Sequence, residues 1–222
     1  MINGNVYYIK ISQFNSDTVD QFATKLSQAK DSGAAGLVID LRNNSGGNME
    51  AMAQILDLIV PSGDTVSYVD KSGKTTVEYS SKANETALPI SVLVNENTYS
   101  AAELFAADIR DFNKGLLVGQ TTAGSGMKTE IVPLSDGSAV MLPIARYITV
   151  NGSSFDGEGI APDVDLSLSQ EQADLLARNN LPLADDPQVQ AAVTALVRQG
   201  AQVQEIPTAN TSSSSDASSQ AE

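Results

Sequence analysis

Gly36-Leu37-Val38-Ile39-Asp40-Leu41 is a nearly continuous apolar run that breaks abruptly at Arg42-Asn43-Asn44-Ser45-Gly46-Gly47. A short run with so little polar alternation predicts a strand buried on both faces. Met49, Met52, Ala53, Leu56 and Ile59 follow at helical spacing until Pro61 stops them. The rhythm returns downstream. Ile90 to Val94 predicts a second buried strand, Ser100 to Asp111 a second core helix, and Leu116 to Val118 a third strand. Strands alternating with helices in this way mean βαβ units, a largely parallel sheet and an α/β fold.

The flanking segments extend this pattern. Val6 to Ile11 predicts a strand, and Val19, Phe22, Leu26 and Ala29 form the apolar stripe of a helix capped by Ser16 or Asp17. Thr65 to Asp70 and Thr75 to Ser80 predict a hairpin around Ser72-Gly73. After the glycine-rich Gly124-Ser125-Gly126 come two strands joined by Ser135-Asp136-Gly137. Ser169-x-x-Gln172 opens one late helix, and Asp186-Pro187 opens another that Gly200 closes. A single core domain over residues 4–200 is expected, followed by a disordered Ser-rich tail over residues 202–222.

Composition excludes several function classes. Asp and Glu number 27 against 13 Lys and Arg, a formal charge of −14, which argues against binding to nucleic acid or an anionic membrane. No apolar stretch is long enough to cross a bilayer, and no basic–apolar–small pattern marks a signal peptide. There are no cysteines and no histidines. A Ser-His-Asp triad, a His-based metal site and an imidazole proton shuttle are therefore impossible. Any nucleophilic serine here must use a lysine, a carboxylate or water.

Ser100 is the candidate. It follows a buried strand and opens Ser100-Ala101-Ala102-Glu103, which places its hydroxyl at a helix N-terminus where developing negative charge is favoured. Ser-x-x-Glu is also a capping box, and local sequence alone allows both readings.

Several longer strings point one way. The chain resembles the protease core of the carboxyl-terminal processing peptidases, also called tail-specific proteases. The resemblance rests on Tyr8 to Phe14, on Leu37-Val38-Ile39-Asp40-Leu41-Arg42-Asn43-Asn44-Ser45-Gly46-Gly47, and on Tyr99-Ser100-Ala101-Ala102-Glu103. It continues through Val118-Gly119-Gln120-Thr121, Pro133-Leu134-Ser135-Asp136-Gly137-Ser138, Gly157-Glu158-Gly159-Ile160-Ala161-Pro162-Asp163-Val164 and Asp186-Pro187-Gln188. It implies a crotonase/ClpP-like core of stacked βαβ units with a small β-hairpin element, and a polypeptide substrate or peptide ligand. It implies no cofactor and no metal, leaves an oligomer open, and points to an exported or membrane-anchored, extracytoplasmic parent protein. The family's PDZ domain normally precedes the core, so a core without that domain is expected here.

By the same resemblance, Ser100 attacks the scissile carbonyl. The oxyanion then faces the Ala101 N–H and a second N–H from Gly46, with Gly47 the close alternative. Glu103 and Asp111 support the site, Glu103 by capping and Asp111 by pairing with a basic group. The departure lies at the general base. The family has a lysine within Gly-Lys-Gly, and that position here is Ser125; the Gln expected four residues later is Thr129. Lys128 is the one substitute at hand. In an extended segment it lies roughly 10 Å from residue 125 and on the opposite face, so only a bulge or turn would bring it to Ser100; otherwise it is a solvated surface lysine. A carboxylate is a weak base near neutral pH. Three readings follow: a serine endopeptidase impaired by loss of its base, an inactive relative that binds peptides or partner proteins, and other acyl chemistry of the crotonase kind. Nothing in the sequence suggests coenzyme A binding for the third.

Overall fold

The computed structural model describes residues 1–2, 4–82 and 84–204. From residue 205 onward, the expected tail lies outside the described residues. Five parallel strands form one sheet in the order β1 (Val6–Lys10), β2 (Gly36–Asp40), β5 (Ile90–Val94), β6 (Gly115–Gly119), β9 (Val164–Asp165). β2 and β5 are buried at every position, as expected of strands covered on both faces.

Alternation along β2 assigns the two layers. Leu37 and Ile39 pack with α1 (Ser16–Asp31), α2 (Met49–Asp57) and α3 (Ala101–Asp111), through residues such as Phe22, Met52, Leu56 and Phe105. Val38 packs on the other face with Val189, Val193 and Leu196 of α5 (Pro187–Arg198). A short α4 (Gln170–Ala177) precedes α5.

Two details differ from the sequence reading. The cap of α1 is Asn15, not Ser16 or Asp17: its side chain accepts the Asp17 and Thr18 N–H groups, and the Thr18 hydroxyl accepts the Asn15 N–H in return. The hairpin is also no isolated element. β3 (Gly63–Asp70) and β4 (Thr75–Ser81) join β7 (Met127–Pro133) and β8 (Ala139–Ile148) in an antiparallel sheet of order β4-β3-β8-β7. The union depends on pairing Ser67 to Asp70 with Ile148 to Ala145, a contact between distant segments that no local pattern announces.

The end of β2 is fixed by a buried ion cluster. Arg42 is 1% exposed and sits between Asp40 at 2.7 Å and Asp186 at 2.8 Å. It also donates to Gln188 Oε1, and the Tyr8 hydroxyl donates to Asp40. Asp186 and Gln188 stand at the start of α5, so this cluster ties the turn after β2 to the C-terminal helix.

Candidate active site

The Arg42–Gly47 turn is built around Asn44, which is fully buried. Its Nδ2 donates to the Ile11 carbonyl at 2.8 Å, and its own carbonyl accepts the Tyr99 N–H at 2.9 Å. The turn is thereby stitched both to the strand before it and to the residue preceding Ser100. Gly46 has φ 87°, and a Cβ there would stand 2.8 Å from the Tyr99 carbonyl oxygen and 3.1 Å from the Ala101 nitrogen. Only glycine lets the two backbones come this close.

Ser100 has φ 53° and ψ −118°, a left-handed conformation that an L-residue adopts at a cost. It stands immediately before α3, with Ala101 as the first helical residue. The Ala101 and Gly47 N–H groups have no acceptor among the described residues. The Gly46 N–H, in contrast, donates to Asn44 Oδ1 at 2.8 Å.

Glu103 does more than cap. It is fully buried and accepts four hydrogen bonds. One oxygen takes the Ser100 N–H and the Ser125 N–H, both at 2.8 Å. The other takes the Thr122 hydroxyl at 2.5 Å and the Gly124 N–H at 2.6 Å. The backbone nitrogens of Ser100 and Ser125 therefore lie within twice 2.8 Å of each other, drawn together by one oxygen atom. Thr122, absent from the sequence reading, is the junction: its hydroxyl also accepts the Ile160 N–H at 2.7 Å.

The Ser125 loop is braced from behind by residues 155–160. Gly126 N–H donates to Asp156 Oδ1, and Gly157 N–H donates to the Gly124 carbonyl at 2.8 Å. No side chain among the described residues hydrogen-bonds to the hydroxyl of Ser100 or of Ser125.

The remaining candidates are elsewhere. Lys128 is neither at Ser100 nor freely solvated. Its ammonium is 2.5 Å from Glu78 on β4 and 4.6 Å from the centre of the Tyr68 ring on β3. Burial lowers its pKa, but the hydrogen bond to Glu78 and the surrounding charge outweigh this and raise it overall. The strand irregularity falls after Lys128, between it and Thr129, which is exposed and pairs with Pro143. Asp111 lies at the end of α3, 3.5 Å from Arg110 Nε, and accepts the Asn151 N–H. No group of three or more acidic residues among the described residues is placed to hold a metal ion.

The comparisons with known proteins bear on this arrangement. Residues 5–166 match the model of peptidase family S41. The chain belongs to peptidase family S41. It is 37% identical over 161 residues to a chloroplastic C-terminal processing peptidase of Tetradesmus obliquus, covering 72% of this chain and 34% of that one. It is 34% identical over 159 residues to a carboxyl-terminal-processing protease of Synechocystis, covering 72% and 37%. The S41 chain thus spans about a third of the length of these relatives. Among solved structures it is similar to the photosystem II D1 C-terminal processing protease, with TM-score 0.73 and 34% identity over 83% of this chain and 47% of that one. The tricorn protease matches in fold, with TM-score 0.52 and 20% identity over 88% of this chain and 18% of that one, in keeping with the expected ClpP-like core. No helix among the described residues is long and apolar enough to cross a membrane.

Proposed function

We propose that this chain is the protease core of a carboxyl-terminal processing serine endopeptidase whose acyl-transfer site is assembled but lacks its general base. One observation carries the reading: Glu103 holds the Ser125 backbone against that of Ser100, at the position where the family's lysine is expected, and the side chain there is a serine hydroxyl.

In this reading Ser100 Oγ attacks the carbonyl carbon of a polypeptide. Negative charge then grows on the carbonyl oxygen, and the Ala101 N–H faces it. Gly47 supplies the second donor while Asn44 holds the Gly46 N–H; Gly46 supplies it where that bond opens. For attack to proceed, the Ser100 proton must leave. The Ser125 hydroxyl is far too weak a base near neutral pH, and Lys128 is held by Glu78 with its pKa raised rather than lowered. The nucleophile is therefore poised without an acceptor for its proton. The substrate is a polypeptide, and the parent protein works outside the cytoplasm, in line with the processing proteases it resembles.

The test compares hydrolysis of a small reactive ester and of a loosely folded protein by the parent chain, Ser125→Lys and Ser125→Lys/Thr129→Gln, each with and without Ser100→Ala. The parent is expected to match its Ser100→Ala variant. The lysine variants are expected to gain about 10²-fold or more, the usual contribution of a positioned base, and to lose it with Ser100→Ala. Robust parental cleavage abolished by Ser100→Ala would overturn the proposal. A double variant that folds normally yet neither hydrolyses ester nor reacts with a serine-directed phosphonate would favour a non-catalytic peptide-binding protein.

A further inference from the structure

The outer half of the β7–β8 ribbon is unlike the rest of the chain. β3 pairs with β8 only from Ala145 to Ile148, so from Thr129 to Pro143 the ribbon is two strands wide. Both of its edges are free of strand partners among the described residues. Ile131 and Met141 are paired on one face and are 65% and 64% exposed. Val132 and Val140 are paired on the other face, and Leu142 and Leu134 are also largely exposed. An isolated two-stranded ribbon is marginal in water, and an apolar one with open edges invites another strand.

Charge and symmetry indicate which strand. Met127 to Ile148 carries Lys128, Glu130, Asp136 and Arg146, two charges of each sign, within a chain of net charge −14. A basic partner would be drawn to the acidic remainder of the surface. Two copies of this chain, each with a net charge of −14, repel each other overall, and this charge-balanced ribbon is where they can meet. An edge strand is also its own complement when it pairs antiparallel about a two-fold axis. Register follows from the side chains. An axis at Glu130 sets two carboxylates opposite each other, which is unfavourable. An axis at Thr129 calls on Lys128, which Glu78 already holds. An axis at Ile131 sets Ile131 against its copy, Glu130 against Val132 and Thr129 against Pro133, with no like charges opposed.

We infer that the free edge of β7 is an interface between two copies of this chain, paired antiparallel about Ile131 to form one eight-stranded sheet. Eight apolar side chains of the ribbon and its base, from Met127 to Ile144, are more than a third exposed and supply much of the apolar surface for such a contact. A standard interface buries about 800 Å² per partner.

The experiment uses the absence of cysteine. Sedimentation velocity on the full chain is expected to show a concentration-dependent monomer–dimer equilibrium. Ile131→Lys is expected to weaken it at least about tenfold, as loss of a central apolar anchor does, without moving the urea midpoint of the monomer. Ile131→Cys, carrying the chain's one thiol, is expected to form a disulfide dimer under mild oxidation, whereas Ser72→Cys in the exposed β3–β4 turn is not. A chain that stays monomeric at all concentrations overturns the inference. So does a dimer that survives Ile131→Lys and is not trapped by Ile131→Cys. A monomer whose ribbon is protected only on adding an unfolded polypeptide also overturns it, in favour of a peptide occupant.

Discussion

Ser100 and Ser125 are joined through a single oxygen atom: Glu103 Oε2 accepts the backbone N–H of each at 2.8 Å. The backbone path at residue 125 is thus set by Glu103 and not by the side chain that residue 125 carries. A substitution at 125 therefore leaves the loop's anchor in place.

Glu103→Gln should therefore be far more damaging than its size suggests. Each carboxylate oxygen now receives two donors, and a glutamine can present an acceptor at only one end. Turned toward Thr122, whose hydroxyl can rotate to accept, its amide NH₂ would still face the Gly124 N–H. An unsatisfied donor costs about 1–3 kcal/mol, and a loss in that range is expected in urea unfolding. In the Ser125→Lys background, this variant should lose restored activity by more than its stability loss explains. A destabilisation below about 1 kcal/mol would mean that the clamp is weaker than its geometry.

Lys128→Met is expected to leave any activity of the Ser125→Lys chain unchanged. Lys128 serves the antiparallel sheet, through Glu78 and the faces of Tyr68 and Tyr147. A partly exposed ion pair and cation–π contact together contribute about 1 kcal/mol. Urea unfolding should show a loss of that order. A loss of catalysis without a loss of stability would return Lys128 to the site.

The sequence made some of this readable and hid the rest for definable reasons. Buried β2, the glycine turn after it and Ser100 ahead of a helix were legible because apolar runs, helical spacing and capping residues are local signals. The β3–β8 pairing was not, because it depends on two segments far apart in sequence, Ser67 to Asp70 and Ala145 to Ile148, finding each other. Glu103 was legible only as a cap to Ser100, three residues away. Its bonds to Thr122, Gly124 and Ser125 depend on how the loop after β6 returns across α3. Asn44 lay inside a recognisable string, yet its grip on the Gly46 N–H is a side-chain choice that the string does not specify.

Arg42→Ala should prevent stable folding. It would leave Asp40 and Asp186 buried without their cation and Gln188 Oε1 without its donor. Breaking a buried pair from one side costs about 3–5 kcal/mol. The triple change Arg42→Met/Asp40→Asn/Asp186→Asn removes all three charges at once and should recover a substantial part of that loss. Soluble expression and urea midpoints read both outcomes. An Arg42→Ala chain as stable as the parent would refute the cluster's role in anchoring α5.

Asp108 makes the stability of this protein depend on pH in an unusual direction. It lies on α3, fully buried, with no side-chain donor to either carboxylate oxygen among the described residues; only the Val150 backbone N–H favours its ionised form. Burial, and then the nearby charge of Asp111, push its pKa well above the ordinary carboxylate value of 3.8. The folded state therefore binds this proton more tightly than the unfolded state does. Asp108's contribution is fully present below pH 3.8 and is lost as pH rises through the raised folded value. Across that window, stability falls by up to about 1.4 kcal/mol per pH unit from this residue alone. Asp108→Asn cannot ionise and should remove that slope. The readout is the difference between the parent and Asp108→Asn urea stabilities, measured from pH 4 to pH 9, since the other titrating groups are common to both. The variant is expected to gain on the parent as pH rises. A difference that stays constant over the range would show that Asp108 does not hold its proton in the folded chain.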